Sequence, residues 1–267
     1  MKKMQKGAAV MAFIQCDFRS EALGMATHFC AILPAEDGFS PAGAPVVWLL
    51  HGLTDDSTAW QRYTGLEWYA RLKQAVVVMP EVQRSFYTDM ASGPAYFTYV
   101  SEELPAFCRR MFGLSGAREQ NFVMGNSMGG YGALKCALRR PQQYAGAAAF
   151  SAVMDSNDFL HRRQASGGLR PGEAAAVFGP GEQVPAAEDL FALLGAADPA
   201  ALPRLFVGCG TADRLWPMNQ EMHRRLNRRG VAHEFCTCPG GHTWDVWGKL
   251  LQTALDRFLG PDKLSFG

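Results

Sequence analysis

Long apolar runs are missing from this chain. None of its 267 residues falls in a stretch near the roughly 20 apolar residues that cross a bilayer, so no membrane partner is expected. Strong charge of either sign is missing as well. Lys and Arg number 26 against 25 Asp and Glu, a formal net charge of +1. Such a balance argues against nucleic acid as a partner. The arginine pairs (Arg109-Arg110, Arg139-Arg140, Arg162-Arg163, Arg224-Arg225, Arg228-Arg229) are scattered rather than gathered into a stripe. Several fall near expected helix C-termini, where a cation complements the macrodipole. The seven cysteines are odd in number and contain no C-x-x-C pair. Cys30, Cys136 and Cys209 sit in apolar stretches, where a thiol behaves as a small hydrophobe. Cys236 and Cys238, two apart on an expected strand, make an incomplete zinc site. That usage fits a reducing compartment, and the expectation is a cytoplasmic protein. The histidines lack metal-ligand spacing, so neither metal nor cofactor is expected. Internal repeats and low-complexity linkers are absent too.

At the N-terminus, Lys2, Lys3 and Lys6 precede an apolar run from Gly7 to Ile14. The run is short and no small-residue cleavage site follows it, unlike a signal peptide. Met11 is the expected start of the folded part. Residues 1–10 then form a disordered extension, and residues 11–267 a single domain.

What is present is a core. Hydrophobic residues make up 48% of the chain and aromatics 11%, the composition of a folded globular protein. Phe13–Arg19 and Ala26–Leu33 read as an opening antiparallel pair around Gly24. Apolar strands follow at Pro45–Leu50, Ala75–Met79, Asn121–Met124, Ala145–Phe150, Arg204–Val207 and His233–Cys238. Helical spacing falls between them at Leu66–Lys73, Phe97–Phe112, Gly130–Arg139, Met218–Arg229 and Asp245–Leu259, with Pro105 bending or restarting the second. Alternation of this kind implies an α/β fold with a mostly parallel sheet covered by helices on both faces. From Asp155 to about Pro203 the pattern breaks down into Gly-, Pro- and Ala-rich sequence, read as a small cap insertion.

The chemistry is carried by spacing. Gly125-Asn126-Ser127-Met128-Gly129 is a G-x-S-x-G motif lying between an expected strand and an expected helix, the context in which a serine is thrust out on a sharp turn. A serine hydroxyl needs a base to take its proton, and the base needs an orienting group. In this arrangement the partners come in the order Ser, acid, His. Four histidines follow Ser127. His161 lies in the irregular segment, His223 is mid-helix, and His233 opens a strand. His242 alone follows the last strand, in the turn Pro239-Gly240-Gly241-His242. Asp213 leaves the penultimate strand through Gly208-Cys209-Gly210-Thr211-Ala212-Asp213 and is the preferred acid. Its rivals are Asp155 and Asp245, the latter better placed in the first turn of a helix. The oxyanion donors expected are the backbone N–H groups of Met128 and of Leu53, in His51-Gly52-Leu53-Thr54 after an early strand. His51 reads as a structural hydrogen-bonder, and Asp55-Asp56-Ser57 as a cap for the next helix. Trp60, Tyr131, Trp216 and Trp244, with Trp247, are the aromatics near these loops and the candidates to wall a substrate pocket.

Together, Leu49-Leu50-His51-Gly52-Leu53-Thr54, Gly125–Leu134, Gly208–Asp213 and Pro239–Asp245 resemble the esterase D-like family of α/β-hydrolases. Within it the likeness is to tributyrin and acetyl esterases and to feruloyl esterases. The opening Met11-Ala12-Phe13-Ile14-Gln15-Cys16-Asp17-Phe18 looks like the start of these enzymes. The resemblance implies an α/β-hydrolase fold and a serine carboxylesterase without metal. It also implies short acyl or aryl esters as small-molecule substrates and, often, assembly as a homo-oligomer. S-formylglutathione hydrolases share the His-Gly-Leu-Thr opening but usually carry histidines where this chain has Asn126 and Tyr131. Their thioesterase activity is therefore the alternative. Acyl transfer and a non-catalytic binding role are more distant readings.

Overall fold

The computed structural model describes residues 11–36 and 38–264; the expected extension over residues 1–10 lies outside them. Eight strands form one sheet. They are β1 (Met11–Ser20), β2 (Met25–Pro34), β3 (Val46–Leu50), β4 (Val76–Pro80), β5 (Asn121–Asn126), β6 (Gly146–Phe150), β7 (Arg204–Gly210) and β8 (His233–Cys238). Their order is β1-β2-β4-β3-β5-β6-β7-β8. The first two strands form an antiparallel hairpin that pairs antiparallel onto β4, and the other six run parallel.

Alternation along the parallel strands explains the layering. In β3, Val46, Trp48 and Leu50 face one way and Val47 and Leu49 the other, because successive strand side chains point to opposite faces. All five are buried, so this strand needs cover on both sides. Ten helices are described: α1 (Ala59–Tyr63), α2 (Leu66–Lys73), α3 (Tyr96–Thr98), α4 (Leu104–Phe112), α5 (Met128–Arg139), α6 (Ser156–Ala165), α7 (Glu173–Phe178), α8 (Leu190–Ala196), α9 (Trp216–Arg228) and α10 (Trp244–Leu259). Leu66 and Ala70 of α2 pack with Trp247, Leu250 and Leu251 of α10 on the Val47 face. Leu104 of α4, Leu134 of α5 and Met222 of α9 pack on the Trp48 face. This is the α/β-hydrolase fold.

Three expectations change. The single helix over Phe97–Phe112 is α3, a wider π turn over Tyr99–Glu103, then α4. Pro105 lies in the first turn of α4, where its missing N–H goes unused. The helix expected from Gly130 starts two residues earlier, at Met128. The segment from Asp155 to Pro203 has no strand, as expected, but it is not irregular: it carries α6, α7 and α8. Helix α6 escapes detection because it is polar on nearly every side, burying only Ser156 and Phe159. Its N-cap is Asp155, whose carboxylate accepts the Asp158 N–H at 2.9 Å.

The strand order reverses direction between β3 and β5, and the crevice at such a switch point is where α/β sheets bind ligands. Register aligns Leu50 with Gly125 and Phe150 with Gly208. The carboxyl ends of β3, β5, β6 and β7 therefore emerge together, and their loops share one rim.

Candidate active site

Ser127 sits where β5 turns into α5, with φ 54° and ψ −116°. That conformation is strained for a residue with a Cβ. The strain is held by backbone: the Ser127 N–H donates to the Phe150 carbonyl at 2.8 Å, and its carbonyl accepts from Tyr131 N–H at 3.1 Å. So sharp a turn brings three chain segments into contact. A Cβ on Gly125 would meet the Gly129 carbonyl oxygen at 2.5 Å, and one on Gly129 would meet the Leu50 carbonyl oxygen at 2.3 Å. Only glycine fits at either position, which is the physical content of the G-x-S-x-G spacing.

The three residues spaced 86 and 29 apart in sequence converge. His242 Nε2 lies 3.0 Å from Ser127 Oγ, and its Nδ1 lies 2.9 and 3.1 Å from the Asp213 carboxylate oxygens. With Nδ1–H donating to the carboxylate, Nε2 is left to accept the serine proton. Asp213 is buried, which by itself would raise its pKa. The hydrogen bonds from His242, Leu215 N–H and Ser151 outweigh that and hold it below the ordinary carboxylate value. It is therefore a permanent anion beside the imidazole at neutral pH.

Sequence reasoning passed over the supports of this constellation. Ser151 follows β6 in a positive-φ conformation, φ 44°, and its N–H bonds the Gly208 carbonyl at 2.7 Å. Asn219, wholly buried on α9, exchanges bonds with both Ala152 N–H and its carbonyl and donates to the Leu215 carbonyl. The loop bearing Asp213 is thus tied to the strand beside Ser127. Nothing in the local sequence marks either residue, because the partners come from different strands.

Leu53 and Met128, the expected oxyanion donors, flank Ser127 from the β3 loop and the first turn of α5. Neither N–H donates to a protein acceptor among the described residues. The β3 loop is fixed by His51, whose Nδ1 donates to the Gly52 carbonyl at 2.8 Å while Nε2 accepts from Val82 N–H at 3.2 Å. Both ring nitrogens are committed, so His51 is a brace. The cap expected from Asp55-Asp56-Ser57 does not form: the N-cap of α1 is Thr58, without a side-chain cap bond, and Asp56 instead makes a local turn, accepting from Thr58 N–H at 2.8 Å.

Ser127 opens into a cavity of about 360 Å³. Trp244 and Trp247 form one wall, edge to face at 5.0 Å, with Trp247 also against the His242 ring. Of the other aromatics singled out from sequence, Trp60, Tyr131 and Trp216 do not line it. Trp60 is buried behind Trp244 and donates to the Leu50 carbonyl. Tyr131 is wholly buried, its hydroxyl donating to the Glu188 carbonyl at 2.5 Å. Trp216 packs on Phe235 at the start of α9. These three rings lie near the motifs in sequence but spend their area on packing. The remaining wall comes from Asp55, Phe159, Arg163 and Arg214, none of which was read as a pocket residue.

The family model Esterase, described as "Putative esterase", matches residues 20–258. The chain is similar to an acetyl esterase of Caldicellulosiruptor saccharolyticus, 26% identical across 92% of this chain and 97% of the relative. Among solved structures, fluorophosphonate-binding serine hydrolase F of Staphylococcus aureus, in a substrate-bound form, superposes with TM-score 0.86. It is 31% identical, covering 93% of this chain and 98% of that one. An S-formylglutathione hydrolase of the same organism gives TM-score 0.82 at 30% identity, over 94% and 100%.

Proposed function

The chain belongs to the esterase family and is a carboxylic ester hydrolase, and from that premise we propose that Ser127, His242 and Asp213 carry its chemistry on short acyl or aryl esters. One observation carries the reading: a strained serine at a strand-to-helix turn, 3.0 Å from an imidazole whose other nitrogen is held by a buried carboxylate.

In this reading Ser127 Oγ attacks the ester carbonyl while His242 Nε2 accepts its proton. Asp213 stabilises the imidazolium that forms. The carbonyl oxygen becomes an oxyanion facing the Leu53 and Met128 N–H groups and the positive end of α5, donors already in place before charge develops. His242 returns its proton to the departing alcohol, leaving an acyl group on Ser127. A water, deprotonated by His242, then hydrolyses the acyl-enzyme.

The test is the hydrolysis of p-nitrophenyl esters of rising chain length, plus methyl ferulate, by the parent chain and Ser127→Ala. Turnover of acetate and butyrate, lost in the variant, supports the reading. Near-normal activity in Ser127→Ala would sink it. The likeness to an S-formylglutathione hydrolase gives a second reading its specific support. A preference for S-formylglutathione over every oxygen ester would establish that thioesterase activity instead.

A further inference from the structure

Two guanidinium groups line the cavity, Arg163 from the last turn of α6 and Arg214 next to the triad acid. Many of the chain's arginines are tied to carboxylates. Arg84, Arg139, Arg140 and Arg162 each hold a carboxylate, as do Arg224, Arg225, Arg228 and Arg257. Among the described residues, neither Arg163 nor Arg214 has an acidic partner.

Arg163 is also pre-positioned. Its Nη2 donates to the Gly168 carbonyl at 3.1 Å, and the guanidinium lies so close over that glycine that a Cβ there would collide with it. Its Nε is buried with no hydrogen-bond partner among the described residues, a costly arrangement that the packing over Gly168 imposes. Arg214 is exposed at the same rim. The one carboxylate lining the wall is Asp55, so the guanidinium groups outnumber it two to one there. Trp244 and Trp247 line the same cavity.

Resting on the ester reading above, we propose that this site selects esters with a carboxylate on one arm, bound by Arg163 and Arg214 while the other arm lies against the tryptophans. The planar fork of arginine matches a carboxylate with two parallel hydrogen bonds, which a neutral ester cannot make. Because the site is open to water, the effect expected is moderate, about tenfold per arginine in kcat/KM.

The experiment pairs charged and neutral substrates of equal size. For the acyl arm these are the p-nitrophenyl monoester of adipic acid, whose carboxylate is too remote to attack its own ester, and p-nitrophenyl hexanoate. For the alcohol arm they are 4-acetoxybenzoate and its methyl ester. The quantity read is the charged-to-neutral ratio of kcat/KM, in which the fraction of folded enzyme cancels. In one of the two pairs the ratio should fall about tenfold in Arg214→Gln and further in the double variant with Arg163→Gln. Raising NaCl from 0.05 to 0.5 M should lower the parent's ratio, since screening shortens the reach of exposed charges. Arg224→Gln, exposed on α9, outside the cavity lining and paired with Glu221, should leave it unchanged. Ratios that do not move in any Arg163 or Arg214 variant, with neutral esters still hydrolysed, would overturn the carboxylate assignment alone. Failure to hydrolyse any of the four esters would overturn the ester reading beneath it.

Discussion

The turn at Ser127 and the insertion carrying α6 to α8, whose α6 lines the same cavity, are built differently. At the turn, position is set by backbone: glycines at van der Waals limits, strand-to-strand amide bonds, a strained φ at Ser127. The insertion is attached largely through side chains. Glu188 receives Lys135 Nζ at 2.5 Å and Arg139 Nη1 at 3.0 Å, and Lys135 also donates to Thr88 Oγ1 at 2.8 Å. Lys135 is wholly buried on α5, the helix that follows Ser127, and burial pulls its pKa down to about 8 against the attraction of Glu188. In the proposed reading, reaction geometry, which tolerates little displacement, rests on the part of the fold with least freedom, and substrate choice on side chains that can change without disturbing the sheet.

The sharpest way to break this contrast is at the turn itself. Ser127→Ala should lower kcat/KM on p-nitrophenyl acetate by about four orders of magnitude or more, with unfolding temperature little changed. A side-chain change in the insertion such as Phe159→Ala should cost far less on the same assay.

Gly129→Ala tests the backbone half by stability. Its Cβ would meet the Leu50 and His51 carbonyl oxygens at 2.3 and 2.8 Å. Neither is a flexible side chain that can rotate away, so a loss of more than about 4 kcal/mol is expected, read by denaturant unfolding. A loss below 1 kcal/mol would show that the turn has slack.

Lys135→Met tests the attachment of the insertion. Removing one partner of a buried pair leaves Glu188 incompletely compensated, and about 3 kcal/mol should be lost. The double variant Lys135→Met with Glu188→Leu should recover much of that, because a well-packed apolar pair avoids the desolvation of both charges. Additive losses in thermal unfolding would instead mean that the two residues act independently.

The smallest effect concerns acid. Asp213 has a folded pKa below its unfolded value, so its contribution to stability is present above the ordinary value of 3.8 and is lost as pH falls through the lower folded one. Asp213→Asn should flatten that part of the stability-versus-pH curve below pH 4. An unchanged curve would remove the carboxylate as a source of acid sensitivity.

Much of this was readable beforehand. Gly125, Gly129 and Ser127 announce the turn because the backbone conformation allows few alternatives. His242 and Asp213 were found by their place after the last two strands, since a parallel sheet delivers successive loops to one end. The pocket wall was much less legible. Trp60 and Tyr131 stand beside the motifs in sequence, but sequence proximity does not say which face of a turn a ring takes. Arg163 belongs to one of the scattered arginine pairs, in the stretch read from sequence as irregular. It lies in the last turn of α6, and its guanidinium folds back over Gly168 into the cavity.

The amino-acid sequence by itself determined the alternation of strands and helices, the turn at Ser127 and the order of the candidate triad, because each depends on local backbone rules or chain order. Only the tertiary structure decided that Trp244, Trp247, Arg163 and Arg214 line one cavity with the serine, and that a buried Lys135–Glu188 pair ties the insertion to α5. Those arrangements join residues far apart in the chain, and what brings them together is the packing of separate elements rather than any pattern within one.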